Sequence, residues 1–233
     1  MIRVALMALL LQQPDFEALY RQALADREKS LGQNAAKTVE SARDLGLFLA
    51  GRGDYSAALP YIDQALTTTN TAEGATVLHN WAVALEQTNA TLAERMYRLA
   101  LRIREKTLPS TDIELAGTRL NLAELLTERD NRERESLAVL ALTAFDRKPG
   151  LAEGRSGRAC GLLGALLATK GDVPGAERML RRAVGLLEKA HGLKSPETAS
   201  ALEDLADLLT QTGRASAARP LLERAERIRS GAR

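Results

Sequence analysis

The sequence predicts an all-α fold in which antiparallel helix pairs stack into a solenoid, and three observations carry that prediction. Leu, Ala, Glu and Arg are abundant while aromatics are only 3% of the chain, so helix formers far outweigh strand formers. An Ala recurs near the middle of every second helix, at Ala23, Ala65, Ala100, Ala141, Ala183 and Ala225, in steps of 42, 35, 41, 42 and 42 residues. Turn signals punctuate each unit: Gly53-Asp54, Thr88-Asn89, Asp130-Asn131, Gly171-Asp172 and Gly213-Arg214.

The stripes around those anchors identify both helices of a pair. Three residues before each Ala stand Tyr20, Ile62, Tyr97, Ala138, Leu180 and Leu222. Four residues before those stand Phe16, Ala58, Ala93, Arg134, Ala176 and Ala218. Offsets of three and four place them on one helical face. The first helix of each pair has its own stripe: Ala42-Leu45-Gly46-Leu49, Leu78-Trp81-Ala82-Leu85, Arg119-Leu122-Ala123-Leu126, Cys160-Leu163-Gly164-Leu167 and Leu202-Leu205-Ala206-Leu209. The third member is always Gly or Ala, which lets the partner helix come close without overpacking.

In the turns, glycine ends one helix in the left-handed conformation and Asp or Asn caps the next. The spacing therefore predicts helices over 35–50, 54–69, 72–87, 90–107, 111–128, 131–146, 151–169, 173–190, 195–211 and 214–229. An extra helix over 15–31 matches only the second half of a unit. The expected organisation is an apolar segment, 1–14, followed by one solenoid, 15–233, of five pairs and a partial one.

These positions resemble the tetratricopeptide repeat (TPR), whose small and apolar residues follow the same spacing. The step of 41–42 residues further resembles the longer repeat of kinesin light chains and related bacterial proteins. Their Arg-Glu-Lys-x-Leu-Gly run has counterparts in Arg27-Glu28-Lys29-Ser30-Leu31-Gly32, Arg104-Glu105-Lys106-Thr107-Leu108 and, weakly, Glu188-Lys189-Ala190-His191-Gly192. The His-Pro usual in that family's long loop is absent, and the pair at 131–146 lacks a turn glycine. The resemblance implies a right-handed superhelix with a concave wall made by the first helix of each pair, and a protein-binding role.

Composition and motifs narrow the function classes. Thirty-two basic against thirty acidic residues give a net charge of +2, which shows no strong pull towards nucleic acid. A single cysteine forms no internal disulfide. Met1-Ile2-Arg3 precedes the apolar run Val4 to Leu11, too short to span a bilayer. That run is either a signal-peptide core, which would export the chain to a bacterial periplasm, or a capping helix of a cytoplasmic protein.

The search for chemistry finds no catalytic set, and no cofactor, metal or small-molecule substrate is expected. Arg52-Gly53-Asp54 spells an adhesion tripeptide but falls on the repeat turn, where Gly-Asp recurs at Gly171-Asp172. Cys160 fills a slot taken by Leu78 and Leu202 in other repeats, so packing is its expected role. His79 and His191 lie in different repeats without ligands at metal spacing. Neither a phosphate-binding glycine loop nor His-Glu-x-x-His is present.

The wall that the resemblance implies lies opposite the first-helix stripes, at about 100° per residue. In chain order it carries Glu40, Arg43, Asp44 and Leu47, then Thr76, His79, Asn80 and Val83, then Gly117, Leu120, Asn121 and Glu124. Arg158, Gly161, Leu162 and Ala165 follow, and Ser200, Glu203, Asp204 and Asp207 close it. The expected peptide-binding residues are Arg43, His79, Asn80, Leu120, Asn121, Leu162, Glu203, Asp204 and Asp207. Asn80 and Asn121 offer donors and acceptors to an extended backbone, Leu120 and Leu162 with Ala165 an apolar floor, and the acids a cation site. A scaffold binding a protein or peptide is thus the expected function, with a self-associating structural solenoid as the alternative. RNA readout is disfavoured by the charge balance and the scarcity of aromatics.

Overall fold

A computed structural model of the protein describes residues 15–68 and 72–231, and every regular element among them is helical. In chain order they are α1 (Phe16–Leu31), α2 (Ala36–Gly51), α3 (Tyr55–Thr68), α4 (Ala72–Leu85), α5 (Ala90–Thr107) and α6 (Ile113–Leu125). After a 3₁₀ turn, Glu128–Asp130, come α7 (Asn131–Asp146), α8 (Glu153–Thr169), α9 (Val173–His191), α10 (Pro196–Gln211) and α11 (Ala215–Arg229). Their bounds fall within three residues of those expected from the repeat. The run Val4 to Leu11 lies outside the described residues, as do the side chains of Leu47 and Ala65.

Contacts divide the chain into two units, 1–74 and 75–233. In the first, α2 packs against α1 and α3. In the second, the hairpins α6/α7, α8/α9 and α10/α11 close on themselves, and α5, α7 and α9 pack on the first helix of the next pair. The first helices also touch in series, α6 on α8 and α8 on α10. That is the side-by-side stacking a helical solenoid requires.

Turn chemistry sets where the helices stop. Gly53, Gly171 and Gly213 hold φ of +83°, +80° and +78°. The next residue's N–H then reaches back to the helix: Asp54 to Leu49 O at 3.0 Å, Asp172 to Leu167 O at 3.0 Å and Arg214 to Leu209 O at 2.8 Å. This closure satisfies carbonyls that the helix end leaves open. Asp54, Asn89 and Asp172 cap the following helices, accepting from the N–H groups of Ala57, Leu92 and Gly175 at 3.1, 3.1 and 2.9 Å. The turn at Asp130-Asn131, which has no glycine, departs from the pattern. There α6 stops at Leu125 rather than 128, Leu126 is extended, and the 3₁₀ turn leads into α7.

Close approach follows the small residues. A Cβ on Gly46 would lie 2.9 Å from Ile62 Cγ1, and one on Gly164 would lie 2.7 Å from Leu180 Cγ. Ala82, Ala123 and Ala206 are fully buried at the same register position. Of the second-helix anchors, Ala100, Ala141, Ala183 and Ala225 are buried.

Two end helices correct the expected register. In α1 Ala23 and Tyr20 are exposed and Leu24 is buried instead. In α11 Leu222 is 42% exposed, while Leu221 packs against the core formed with Leu205, Leu208 and Leu209. The physical reason is the same for both. Among the described residues each is flanked on one side only, so the stripe it buries against them is narrower than that of an interior helix.

Candidate functional site

The first-helix face is not uniform, and its parts differ in what they leave open. In unit 1, Arg43 is exposed but engaged: its guanidinium donates to Asp44 Oδ1 at 2.9 Å and lies 3.6 Å from Glu40. All three charges sit within one turn of α2 and satisfy one another.

In unit 2, α4 presents Asn80 and Val83 to solvent, Val83 being 46% exposed. His79, one residue away, is half-buried. Its ring meets the Tyr97 ring edge-on at 5.3 Å, and Nδ1 lies 3.2 Å from Thr118 Oγ1. Burial, reinforced by the Arg104 charge, lowers the His79 pKa to about 4. The imidazole is therefore neutral at physiological pH and acts as a packed polar group.

On α6 the expectation for Leu120 is corrected. Leu120 is fully buried, and Gly117 on the same face is buried as well. This helix has only 13 residues and is packed by α5, α7 and α8. Arg155 of α8 covers Gly117, with Nη1 3.1 Å from where a Cβ would stand. The apolar floor expected beneath a ligand is used here as core.

Asn121 is half-buried and already bonded on both sides. Its Nδ2 donates to the Tyr97 hydroxyl at 3.2 Å, and its Oδ1 accepts from Arg158 Nη2 at 3.1 Å. The Tyr97 hydroxyl in turn donates to Glu86, and Arg158 Nε donates to Glu124 Oε1 at 3.0 Å. Glu86, Tyr97, Asn121, Arg158 and Glu124 thus form one connected network joining α5, α6 and α8. Burial and the bond to Glu86 push the Tyr97 hydroxyl well above the usual tyrosine range. Arg158 and Glu124 both lie on the expected wall, but the 34-residue offset between them left no local cue to their bond or to that of Arg158 with Asn121.

Towards the last pairs, Leu162 is half-buried and Ala165 exposed. On α10 the three acids behave differently. Glu203 is paired with Arg229, whose Nε donates to its Oε1 at 2.6 Å, and that contact holds its carboxyl below the usual range. Asp204 and Asp207, one turn apart and both exposed, have no ion-pair partner among the described residues. The Asp204 carboxyl is raised, first by desolvation against the helix body, then by the charges of Asp207 and Glu203.

A second recurring contact explains part of the Arg-Glu-Lys run. Arg104 is 2% exposed; its Nη1 donates to Glu114 O at 2.7 Å and to Thr118 Oγ1 at 2.5 Å, and its Nη2 to Thr76 Oγ1 at 3.2 Å. Arg27 repeats this in unit 1, donating to Lys37 O at 2.9 Å and Ser41 Oγ at 2.8 Å. In both, the arginine fastens the end of a second helix to the first turns of the next helix. The equal spacing of Arg27 to Ser41 and Arg104 to Thr118 was the available signal.

The other singled-out residues have structural surroundings. Arg52 of the adhesion-like tripeptide pairs with Glu17 at 3.0 Å, and Asp54 caps α3. Cys160 is fully buried, and burial pushes its thiol up to about 11. Among the described residues no group of three or more His, Cys, Asp or Glu could hold a metal ion, and no helix is long and apolar enough to cross a membrane. What the open face offers is amide, carboxylate and apolar groups.

Tetratricopeptide-repeat family models match residues 38–76 and 157–230. No curated protein matches the sequence. Among solved structures, BtubC (BKLC) from P. vanneervenii is 21% identical, covers 92% of this chain and 90% of its own, and superposes with a TM-score of 0.66. A putative kinesin light chain of Podosopora anserina with nearly identical TPR-like repeats is 17% identical over 83% of this chain and 95% of its own, with a TM-score of 0.60. Aspartyl phosphate phosphatase F from Bacillus subtilis is 14% identical, covers 96% of this chain but 58% of its own, and has a TM-score of 0.63. At these identities the likeness is one of fold.

Proposed function

The chain is a tetratricopeptide-repeat protein with the long repeat of the kinesin-light-chain-like type, an interaction scaffold by class, and from that premise we propose that the first-helix face of unit 2 grips an extended peptide segment. The observation that carries the proposal is the pair Asp204 and Asp207. Two carboxylates one turn apart, without a cation and with Asp204 raised, gain from a partner's Lys or Arg, which would relieve both the repulsion and the desolvation.

The remaining roles are narrower than the sequence suggests. Asn80 is the free amide for a peptide backbone, and Asn121 contributes only the Nδ2 hydrogen that Tyr97 leaves. Val83, Leu162 and Ala165 supply the apolar contacts in place of Leu120. Glu203 and His79 position neighbours, Arg229 and Tyr97 respectively. Arg43 belongs to unit 1 and lies outside the proposed site.

The test is selection of peptides from a displayed random library on the purified chain, followed by anisotropy titration of the enriched peptide. Enriched sequences should carry a basic residue, and Asp204→Asn with Asp207→Asn should weaken their binding several-fold. Enrichment of acidic sequences indifferent to both Asp residues and to Asn80 would move the site off this face.

A further inference from the structure

Two grooves of the same build lie one repeat apart on the loop edge of unit 2. In each, a left-handed glycine, Gly150 at φ +89° or Gly192 at φ +92°, turns the chain just before a first helix. The residue that follows is a leucine standing in solvent: Leu151 is 68% exposed and Leu193 is 63% exposed, more than any other large apolar residue described. Behind Leu151 a groove of about 780 Å³ runs to the last turn of α9 at Lys189 and His191. Behind Leu193 one of about 750 Å³ runs to the last turn of α11 at Arg227 and Ile228.

A single exposed leucine is ordinary and needs no explanation. Two at the same repeat position, each on the same glycine turn and each lining a groove, form an organised surface, because packing within the chain uses neither side chain. The charges differ between the grooves. At the first, Lys189 is matched by Glu153 at 2.7 Å and Arg155 by Glu114 at 3.3 Å. At the second, Arg224 is matched by Glu188 at 2.6 Å, but Lys194 and Arg227 have no ion-pair partner among the described residues. The edge is apolar at two points and positive at its far end.

We infer that this edge is a second docking surface, beyond the first-helix face, for an acidic protein segment with two apolar anchors. The anchors rest on Leu151 and Leu193, and the segment's carboxylates lie against Lys194 and Arg227. Because α8 and α10 touch, helix packing sets the two turns that carry these leucines on the order of 10 Å apart along the edge. An extended chain covers that in about three residues. Protein is favoured over single-stranded nucleic acid because neither groove has a Phe, Tyr or Trp on which a base could stack.

The probe is a fluorescein-labelled octapeptide, Asp-Glu-Leu-Glu-Glu-Leu-Glu-Asp, titrated with the full chain and followed by anisotropy. A control octapeptide has both leucines replaced by glutamate. Saturable binding of the probe is expected, at least ten-fold weaker in Leu151→Ser with Leu193→Ser and at least five-fold weaker in Lys194→Glu with Arg227→Glu. Asn80→Ala should bind as the native chain does, which separates this surface from the first-helix face. All five positions are exposed, and circular dichroism should show each variant as helical as the native chain. The inference is overturned if the native chain gives no saturable binding, or if the leucine pair changes nothing. Equal binding of the leucine-free control, or a loss in Asn80→Ala without one in the leucine pair, overturns it too.

Discussion

Arg158 donates to Asn121 Oδ1 at 3.1 Å, while Asn80, in a comparable position one repeat earlier, stands in solvent with no side-chain hydrogen bond among the described residues. Two asparagines that look interchangeable in the repeat therefore differ in what they do. Asn121→Ala removes an acceptor from Arg158 and a donor to Tyr97 and should cost about 1 kcal/mol of stability. Asn80→Ala should leave the denaturation midpoint within about 0.5 kcal/mol of native. Urea melts of the two variants decide this; equal losses would mean that the network around Asn121 does not form.

The register of α8 makes a paired prediction from two glycines one turn apart. A Cβ on Gly161 meets nothing within 4 Å, whereas one on Gly164 meets Leu180 Cγ at 2.7 Å and Ala176 O at 3.3 Å. Gly161→Ala should stabilise by about 0.5–1 kcal/mol through helix propensity alone. Gly164→Ala gains the same propensity but must push back Leu180, so it should be no better than neutral. Gly164→Leu should lose about 1–3 kcal/mol. Thermal midpoints that rank these three in any other order would put α8 in the wrong rotation.

That rotation was legible because period and residue size together define a helix-pair contact, and Gly46 and Gly164 report it directly. The wall was legible only in part, for a reason that Leu120 makes plain. A helical wheel separates the face towards the hairpin partner from the opposite face, but it does not say whether neighbouring repeats cover that opposite face. Around α6 they do, with Arg155 over Gly117, and Leu120 becomes core. The bonds of Asn121 and Glu203 were hidden for a similar reason. Their partners, Arg158 and Arg229, come from helices 37 and 26 residues away. The unpaired state of Asp204 and Asp207 is likewise a tertiary fact.

His79 gives the chain a pH dependence whose sign follows from its environment. Burial and Arg104 lower its pKa to about 4, with Arg155 adding to the effect and Glu114 opposing it. The unfolded chain binds a proton at this histidine below about 6.5 while the folded chain does not. Stability should therefore be full above about pH 6.5 and fall as the pH drops towards about 4, by at most about 3 kcal/mol, a figure that solvent screening of the half-buried ring reduces. His79→Gln should flatten that window in a series of urea melts. If the variant and the native chain show the same slope between pH 6.5 and 4, another group carries it.

Cys160 should react slowly with a thiol reagent while the protein is folded, and fast once it is denatured. Its side chain is fully buried and its thiol sits at about 11, so almost no thiolate is present at neutral pH. Labelling followed by mass spectrometry measures both rates. Native labelling as fast as that of the denatured chain would place Cys160 at the surface and dislodge the first-helix stripe of α8.

The last prediction separates the two kinds of contact proposed on the first-helix face. Asp204 and Asp207 are exposed, so their attraction to a peptide cation is screened by salt and should be worth about 0–1 kcal/mol for each charge pair. Their work is to orient the segment and speed its arrival. Asn80 and the apolar Val83 and Leu162 exclude water from contacts that salt does not screen, and should carry more of the affinity. For a peptide enriched on the native chain, Asn80→Ala with Leu162→Ser should therefore weaken binding more than Asp204→Asn with Asp207→Asn. Only the Asp variant should lose the dependence of affinity on sodium chloride concentration. Lowering the pH should weaken native binding before it weakens the Asp variant's, because the raised Asp204 carboxyl protonates first and gives up its charge. Titrations at two salt concentrations and two pH values contain every comparison. A salt slope unchanged in the Asp variant would show that the peptide's cation rests elsewhere.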